Sequence, residues 1–333
     1  MGKSQYKIGI DLTGGDAPPE TLFKEIFSFS DSLDESTHLV FFAPLTFIEK
    51  FEKISSSLNY RFELSFVQTQ DPILMSDHPL LSIRRKKGTP LHLALKQLKN
   101  GEIDAFVSTA NTGALVTAAT LILKTIKGIK RPGLLAIIPT LKKPLAVIDV
   151  GANIHSTAQH LFQFAKIGIA YQKAHKIIKP VVGLLNIGIE KEKGRRELRE
   201  AYNKLLQLNK HKESLTFIGN IEAKHVFKGD VDVLVTEGFA GNIFLKTAEG
   251  VSHFIFEKAI DQEIEGKKLS IPSNLKDLLS YKEHPGAIVC GVQGIVVKTH
   301  GDACGKTIFS AIKGALELAH GQFLTRLKRQ LKV

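Results

Sequence analysis

Lys193 is the residue from which a chemistry can be built. It follows the apolar run 181–185 and the turn Asn186-Ile187-Gly188, and it precedes a segment of helical periodicity from Arg195. A compact ammonium beside helix-end amides holds a phosphate dianion against a carbonyl without giving up a proton. The plainer reading is an exposed loop lysine. Similar loops follow other apolar runs: Asp11-Leu12-Thr13-Gly14-Gly15-Asp16, Ser108-Thr109-Ala110-Asn111-Thr112-Gly113, Asp149-Val150-Gly151-Ala152-Asn153, Gly219-Asn220-Ile221-Glu222, Glu237-Gly238-Phe239-Ala240-Gly241-Asn242 and His300-Gly301-Asp302. Any one of them serves as a tight turn and helix cap. Their recurrence at equivalent strand ends suggests glycine-opened amides grouped to hold anionic oxygens, as in phosphate or acyl-oxyanion handling. Asn111, Asn153, Asn186 and Asn220 read equally as ligand contacts or as residues that fix turns. His300 reads as an acid, a phosphate ligand or a cap.

No serine occupies a Gly-x-Ser-x-Gly elbow, and neither Cys290 nor Cys304 adjoins an activating base, so direct transfer between two bound substrates is the simpler chemistry. Gly301 to Thr307 imitates a P-loop, but it is shorter than the motif and follows the last apolar run. No G-x-G-x-x-G follows the first run, and no metal or organic cofactor is expected. Two rivals stand beside such direct transfer. One is a metal- and nicotinamide-dependent decarboxylating dehydrogenase, which needs a carboxylate cluster; Asp232, inside an apolar run, reads rather as structural support. The other is a basic nucleic-acid-binding protein, favoured by charge alone, because aromatic residues are not interleaved with Lys and Arg.

These loops require a scaffold that ends many strands on one side. Short β-branched runs alternate with longer segments of helical periodicity, which is the grammar of an α/β fold. Strands are expected at 6–10, 39–42, 62–67, 105–107, 134–138, 145–148, 181–185, 216–218, 231–235 and 294–298. Helices are expected at 90–99, 114–124, 158–175, 195–208, 243–260 and 306–331. The link 139–144 is too short for a crossover helix, so its flanking strands should pair antiparallel and the sheet should be mixed, mostly parallel. No low-complexity linker marks a boundary, and the expectation is one large catalytic unit over 1–333. Residues 262–285, polar and interrupted by Pro272, read as a projecting insertion, either a dimer arm or a membrane-touching tip.

The 333 residues are 43% hydrophobic and 23% charged, ordinary values for a globular chain. The chain start has no long apolar segment of the signal-peptide kind, no stretch approaches the roughly 18 apolar residues of a membrane span, and there are only two cysteines; together these suggest a cytoplasmic protein. The net charge of +12, from 45 Lys and Arg against 33 Asp and Glu, predicts attraction to polyanions without choosing among them.

At these loops the sequence resembles the bacterial phosphate acyltransferases that act on acyl-acyl carrier protein in phospholipid synthesis. The likeness runs from Ile8 nearly to the chain end: Asp11, Gly14, Gly15, Asp16 and Pro19 or its neighbour Pro18; Val107 to Leu115; Asp149 to Asn153; Leu184 to Gly188 with Glu190, Lys193 and Gly194; Phe217 to Glu222; Gly238 to Asn242 with Leu245 and Lys246; His300 and Gly301. Departures from the family pattern are Thr13, Glu237 and Thr89-Pro90. The resemblance implies an α/β/α fold like isopropylmalate dehydrogenase, a homodimer, and loose association with the inner membrane surface. It also implies acyl carrier protein and inorganic phosphate as substrates, with no nucleic acid. On that basis Lys193, Asn242 and His300 are the expected catalytic residues. Substrate binding is expected at Gly14, Gly15, Asp16, Arg84, Arg85, Asn111, Thr112, Gly113, Asp149, Asn153, Asn186, Glu190, Asn220, Glu222 and Lys246.

Overall fold

A computed structural model describes residues 5–74, 77–211, 215–261, 263–264, 267–268, 286–301 and 303–331. The chain divides into two compact units, residues 1–132 with 285–333, and residues 133–284. The first begins with β1 (Tyr6–Asp11), α1 (Pro19–Phe27), β2 (Thr37–Pro44), α2 (Leu45–Ser55), β3 (Glu63–Thr69), α3 (Pro79–Arg85), α4 (Pro90–Asn100), β4 (Ala105–Ser108) and α5 (Thr112–Leu123). The second holds β5 (Gly133–Ile138), β6 (Leu145–Ile148), α6 (Ala158–Ala174), β7 (Val181–Leu185), α7 (Arg196–His211), β8 (Thr216–Ile221), α8 (Ala223–Val226), β9 (Val233–Val235), α9 (Gly238–Asp261), β10 (Glu263–Ile264) and β11 (Lys267–Lys268). The chain returns to the first unit through β12 (Ala287–Cys290), β13 (Ile295–Lys298), α10 (Gly305–His320) and α11 (Phe323–Leu331).

In the first unit the strands lie in the order β3-β2-β1-β4-β13-β12, parallel except for the β12–β13 pair. Asp11 registers with Ser108, and Ser108 with Lys298, so the carboxyl ends of β1, β4 and β13 lie level. The core here is aromatic. Phe23 of α1 stacks on Phe51 of α2 at 4.4 Å between ring centroids and meets Phe41 of β2 edge-on at 4.9 Å. Such contacts add to the apolar burial that fixes both helices on the sheet.

In the second unit the order is β5-β6-β9-β7-β8, with only β5–β6 antiparallel, as the short 139–144 link requires. Ile148 and Leu184 both register with Val235, which levels the carboxyl ends of β6, β9 and β7. Gly168 lets α6 approach β9: a Cβ there would overlap Val233 Cγ1. Gly168→Ala should therefore destabilise the protein by about 1–3 kcal/mol. A thermal melt unchanged from wild type would show that the helix has room to shift.

The α/β class and the mixed, mostly parallel strand order match expectation. One expected helix is corrected. The segment 306–331 is two helices, because the chain breaks at Gly321 and Gln322, whose φ of 49° lies in the left-handed region. The break rotates the second helix so that Phe323, Leu327 and Leu331 are buried. Within 262–285, β10 and β11 pair antiparallel; the rest of the expected projection, including its leucines, lies outside the described residues, as does Asp302. Among the described residues no helix is long and apolar enough to cross a membrane.

Candidate active site

In the first unit, the loop after β1 is folded onto its own carboxylate. Asp11 Oδ1 accepts from the Thr13 amide at 2.9 Å and the Thr13 hydroxyl at 2.7 Å, and Oδ2 accepts from Ser108 Oγ at 3.1 Å. Thr13, a departure from the family pattern, thereby closes the turn. Burial pushes the Asp11 carboxyl above the usual carboxylate range, while these hydrogen bonds and the nearby Lys298 pull it back. Lys298 is itself buried and donates to the carbonyls of Thr109 and Thr299.

Gly14 and Gly15 permit close backbone approach. A Cβ at Gly14 would lie 2.6 Å from Ala110 Cα, and one at Gly15 would lie 2.9 Å from the Gly301 carbonyl. That carbonyl accepts from the Asp16 amide at 2.8 Å, which ties the first loop to the His300-Gly301 loop. Asn111 caps α5 by accepting from the Ala114 amide at 3.1 Å, with Thr112 and Gly113 in the first turn. Arg84 and Arg85 are exposed at the end of α3, which packs on α5. The Thr89-Pro90 departure keeps the following helix start intact, since Thr89 caps α4 and Pro90 occupies its first turn. The P-loop imitation has a different purpose: Glu25 Oε2 accepts from the Gly305 amide at 2.7 Å, so a carboxylate of α1 already caps α10.

In the second unit, Asp149 is fully buried and accepts from the amides of Leu134 (2.9 Å), Gly151 (3.2 Å), Ala152 (2.8 Å) and Asn153 (2.8 Å), and from Asn153 Nδ2 (2.8 Å). Burial pushes its carboxyl upward and the five donors pull it down. The Gly-Phe-Ala-Gly-Asn run then starts α9 directly on this turn. A Cβ at Gly241 would overlap the Asp149 carbonyl, and one at Gly238 would lie 2.5 Å from that of Asn153. Asn242, exposed one turn into α9, lies beside Gly151.

After β7, residues 186–194 form a loop pinned from inside. Asn186 Nδ2 donates to the Lys193 carbonyl at 3.0 Å, and Asn220 Nδ2 donates to the Glu190 carbonyl at 2.8 Å. Gly194 has a φ of 83°, and a Cβ there would overlap Asn186 Oδ1. The Arg195 carbonyl accepts from the amides of Leu198 and Arg199, which makes Arg195 the cap of α7. Lys193 is thus exposed just before a helix N-terminus, and it is in no ion pair among the described residues. Lys246 pairs with Glu249 at 2.8 Å, and Glu222 with Lys224 at 3.3 Å.

Asp149, Asn153, Asn186 and Asn220 are therefore buried braces of the loops that carry the exposed groups. Sequence reasoning missed the Arg195–Glu237 ion pair, which joins the cap of α7 to the end of β9. It also missed the buried Lys298. Asp232 supports structure as read, accepting from the Val181 amide at 2.7 Å and pairing with Lys143 at 2.6 Å.

A family model described as "Fatty acid synthesis protein" matches residues 6–326. The "Phosphate acyltransferase" of Chlamydia caviae is 38% identical over 326 residues, covering 98% of this chain and 99% of its own. The chain belongs to the phosphate acyltransferase family. It is a phosphate acyltransferase of fatty acid and phospholipid synthesis. The fold of this acyltransferase is similar to the EutD phosphotransacetylase of Staphylococcus aureus, with a TM-score of 0.59 at 15% identity over 97% of this chain and 94% of that one. It is also similar to 4-hydroxythreonine-4-phosphate dehydrogenase of Klebsiella pneumoniae, with a TM-score of 0.57 at 11% identity over 95% and 100%. At such identities the likeness concerns architecture, and it is the dehydrogenase-like α/β architecture expected above. The nicotinamide and nucleic-acid rivals yield to the family membership of the acyltransferase.

Proposed function

We propose that this acyltransferase takes its acyl group from a thioester on acyl carrier protein and passes it to inorganic phosphate at the strand ends of the second unit. A phosphate oxygen attacks the thioester carbonyl; the tetrahedral intermediate then collapses, the C–S bond breaks, the carrier's sulfur leaves, and acyl phosphate remains. The observation that carries this reading is Lys193: an exposed ammonium before the N-terminus of α7, on a loop held by the buried amides of Asn186 and Asn220. A fixed cation and helix-end amides hold phosphate where it must attack. Asn242 is the proposed amide donor to the developing oxyanion, with glycine amides of the 149–153 turn beside it. Purified protein incubated with acyl carrier protein thioester and phosphate should form acyl phosphate; thioester consumption that does not depend on phosphate would rule the reaction out.

Carrier proteins resemble small acidic helical bundles, and the net charge of +12, with Arg84 and Arg85 exposed on α3, supports docking by a basic face. The apparent KM for acyl carrier protein should rise several-fold from low to moderate ionic strength. A KM indifferent to salt would exclude electrostatic docking. A cytoplasmic homodimer touching the inner membrane surface completes the proposal; the exposed Phe254 and Ile255 on α9 supply apolar surface for either contact.

A further inference from the structure

Beside the Lys193 loop the second unit contains a cavity of about 1010 Å³, at the upper end of the range, about 300–1000 Å³, usual for small-molecule sites. Its walls are apolar: Leu198 from α7, Phe227 just after α8, and Phe239, Ile243, Phe244 and Val251 along α9. Phe227 and Phe244 stack at 5.6 Å between ring centroids and form one side. The lining positions of α9 recur one turn apart from Phe239 to Ser252, so the stripe runs roughly 20 Å at about 1.5 Å per residue. Phe239, Ile243 and Val251 are 58%, 51% and 51% exposed, an apolar strip that no described residue of the unit covers. Polar groups also line the cavity: Asn186 and Gly194 from the pinned loop, and the Arg195–Glu237 ion pair.

We infer that this cavity is the subsite for the alkyl chain of the acyl donor, with the thioester end at Asn186, Arg195 and Glu237 beside Lys193. A long apolar cleft with a polar group of strand-end and helix-cap residues fits an amphiphile carrying one tail and one reactive head. A second copy of the chain or a bilayer would cover the α9 strip but would have no use for an ion pair in the cleft. The inference rests on the acyl-transfer reading above and deepens it: it assigns chain-length selection to α9, and Arg195 and Glu237 to the entrance of the reactive carbonyl.

The sequence contains no tryptophan, so Phe244→Trp places a single reporter in the wall. Titration with stearic acid brominated at mid-chain should quench its emission saturably; unbrominated stearate should compete and butanoate should not. Val251→Trp, at an exposed position farther along the strip, repeats the test if Phe244→Trp does not fold. Quenching that requires brominated phospholipid in bilayer vesicles would mean that the strip meets membrane and would overturn the inference. Emission that follows protein concentration and ignores the brominated acid would overturn it in favour of a second copy.

A second arm reads selection. Each buried methylene is worth about fourfold in binding, so Ala248→Trp, which fills the cleft, should lower the kcat/KM ratio of hexadecanoyl to butanoyl donors by about tenfold or more. An unchanged ratio would remove the cavity from chain binding. Saturable quenching in a protein that forms no acyl phosphate would instead support the cavity and sink the transfer reading.

Discussion

Lys193→Ala is expected to lower turnover by about a hundredfold or more, the scale of losing one strong electrostatic contact to a transition state. The phosphate dianion has to be drawn from water and held against a thioester carbonyl, and Lys193 offers an exposed ammonium that is in no ion pair among the described residues. Its loop does not depend on that ammonium, because Asn186 grips the Lys193 carbonyl and Asn220 that of Glu190. Stability should therefore stay within about 0.5 kcal/mol of wild type, as for other exposed positions. Lys193→Arg should restore little, since a planar fork does not replace a point charge in a tight site. Steady-state kinetics at saturating phosphate, alongside a thermal melt, checks both parts. Near-normal turnover in Lys193→Ala would move the phosphate cation to His300 or Lys246, the latter already engaged by Glu249.

Asp149→Ala is expected to act on the fold instead. The carboxylate is fully buried and receives four backbone amides and one side-chain amide, and alanine would leave those donors without acceptors and without water. Each orphaned buried donor costs about 1–3 kcal/mol, and partial relaxation brings the expected loss to about 3–5 kcal/mol. That is a large share of the roughly 5–15 kcal/mol that holds a domain together. Asp149→Asn should lose less, because it keeps one acceptor oxygen for part of this set, while its amide nitrogen faces the remaining donors and satisfies none of them. Urea unfolding gives the answer as a midpoint shift. A variant that unfolds with wild-type stability but does not turn over would restore Asp149 to the substrate-binding role suggested by its sequence motif. The same unfolding would also destroy the seat of α9, since Gly241 and Gly238 rest on the backbone of residues 149 and 153.

Long or strongly patterned elements were legible before any coordinates. The runs at 145–148 and 181–185 are short, apolar and β-branched, and they are strands β6 and β7 as read. The helix from Ala158 carries enough periodic turns to announce itself. Pro19–Phe27 and Leu45–Ser55 were missed because two or three turns give a weak periodic signal, and their helical identity is secured by the phenylalanine cluster they pack into. Ala287–Cys290 was missed because four apolar residues beside a polar stretch do not distinguish a strand from a loop.

By itself the sequence determined the alternation of strand and helix, the antiparallel link at 139–144, the placing of glycine- and amide-rich loops at strand ends, and the family. These are local properties: periodicity, turn chemistry and motif spacing are written in neighbouring residues. Only the tertiary structure decided which polar groups turn inward. Asp149, Asn153, Asn186 and Asn220 look alike in sequence as ligands or braces, and folding brings backbone amides and carbonyls within their reach, so each braces its loop whatever else it touches. The Arg195–Glu237 pair joins residues 42 apart in the chain and exists only because β7 and β9 are neighbours in the sheet. The same adjacency sets α7 beside α9 and opens the apolar cavity between them, a feature that no local pattern encodes because its walls come from separate turns of separate helices.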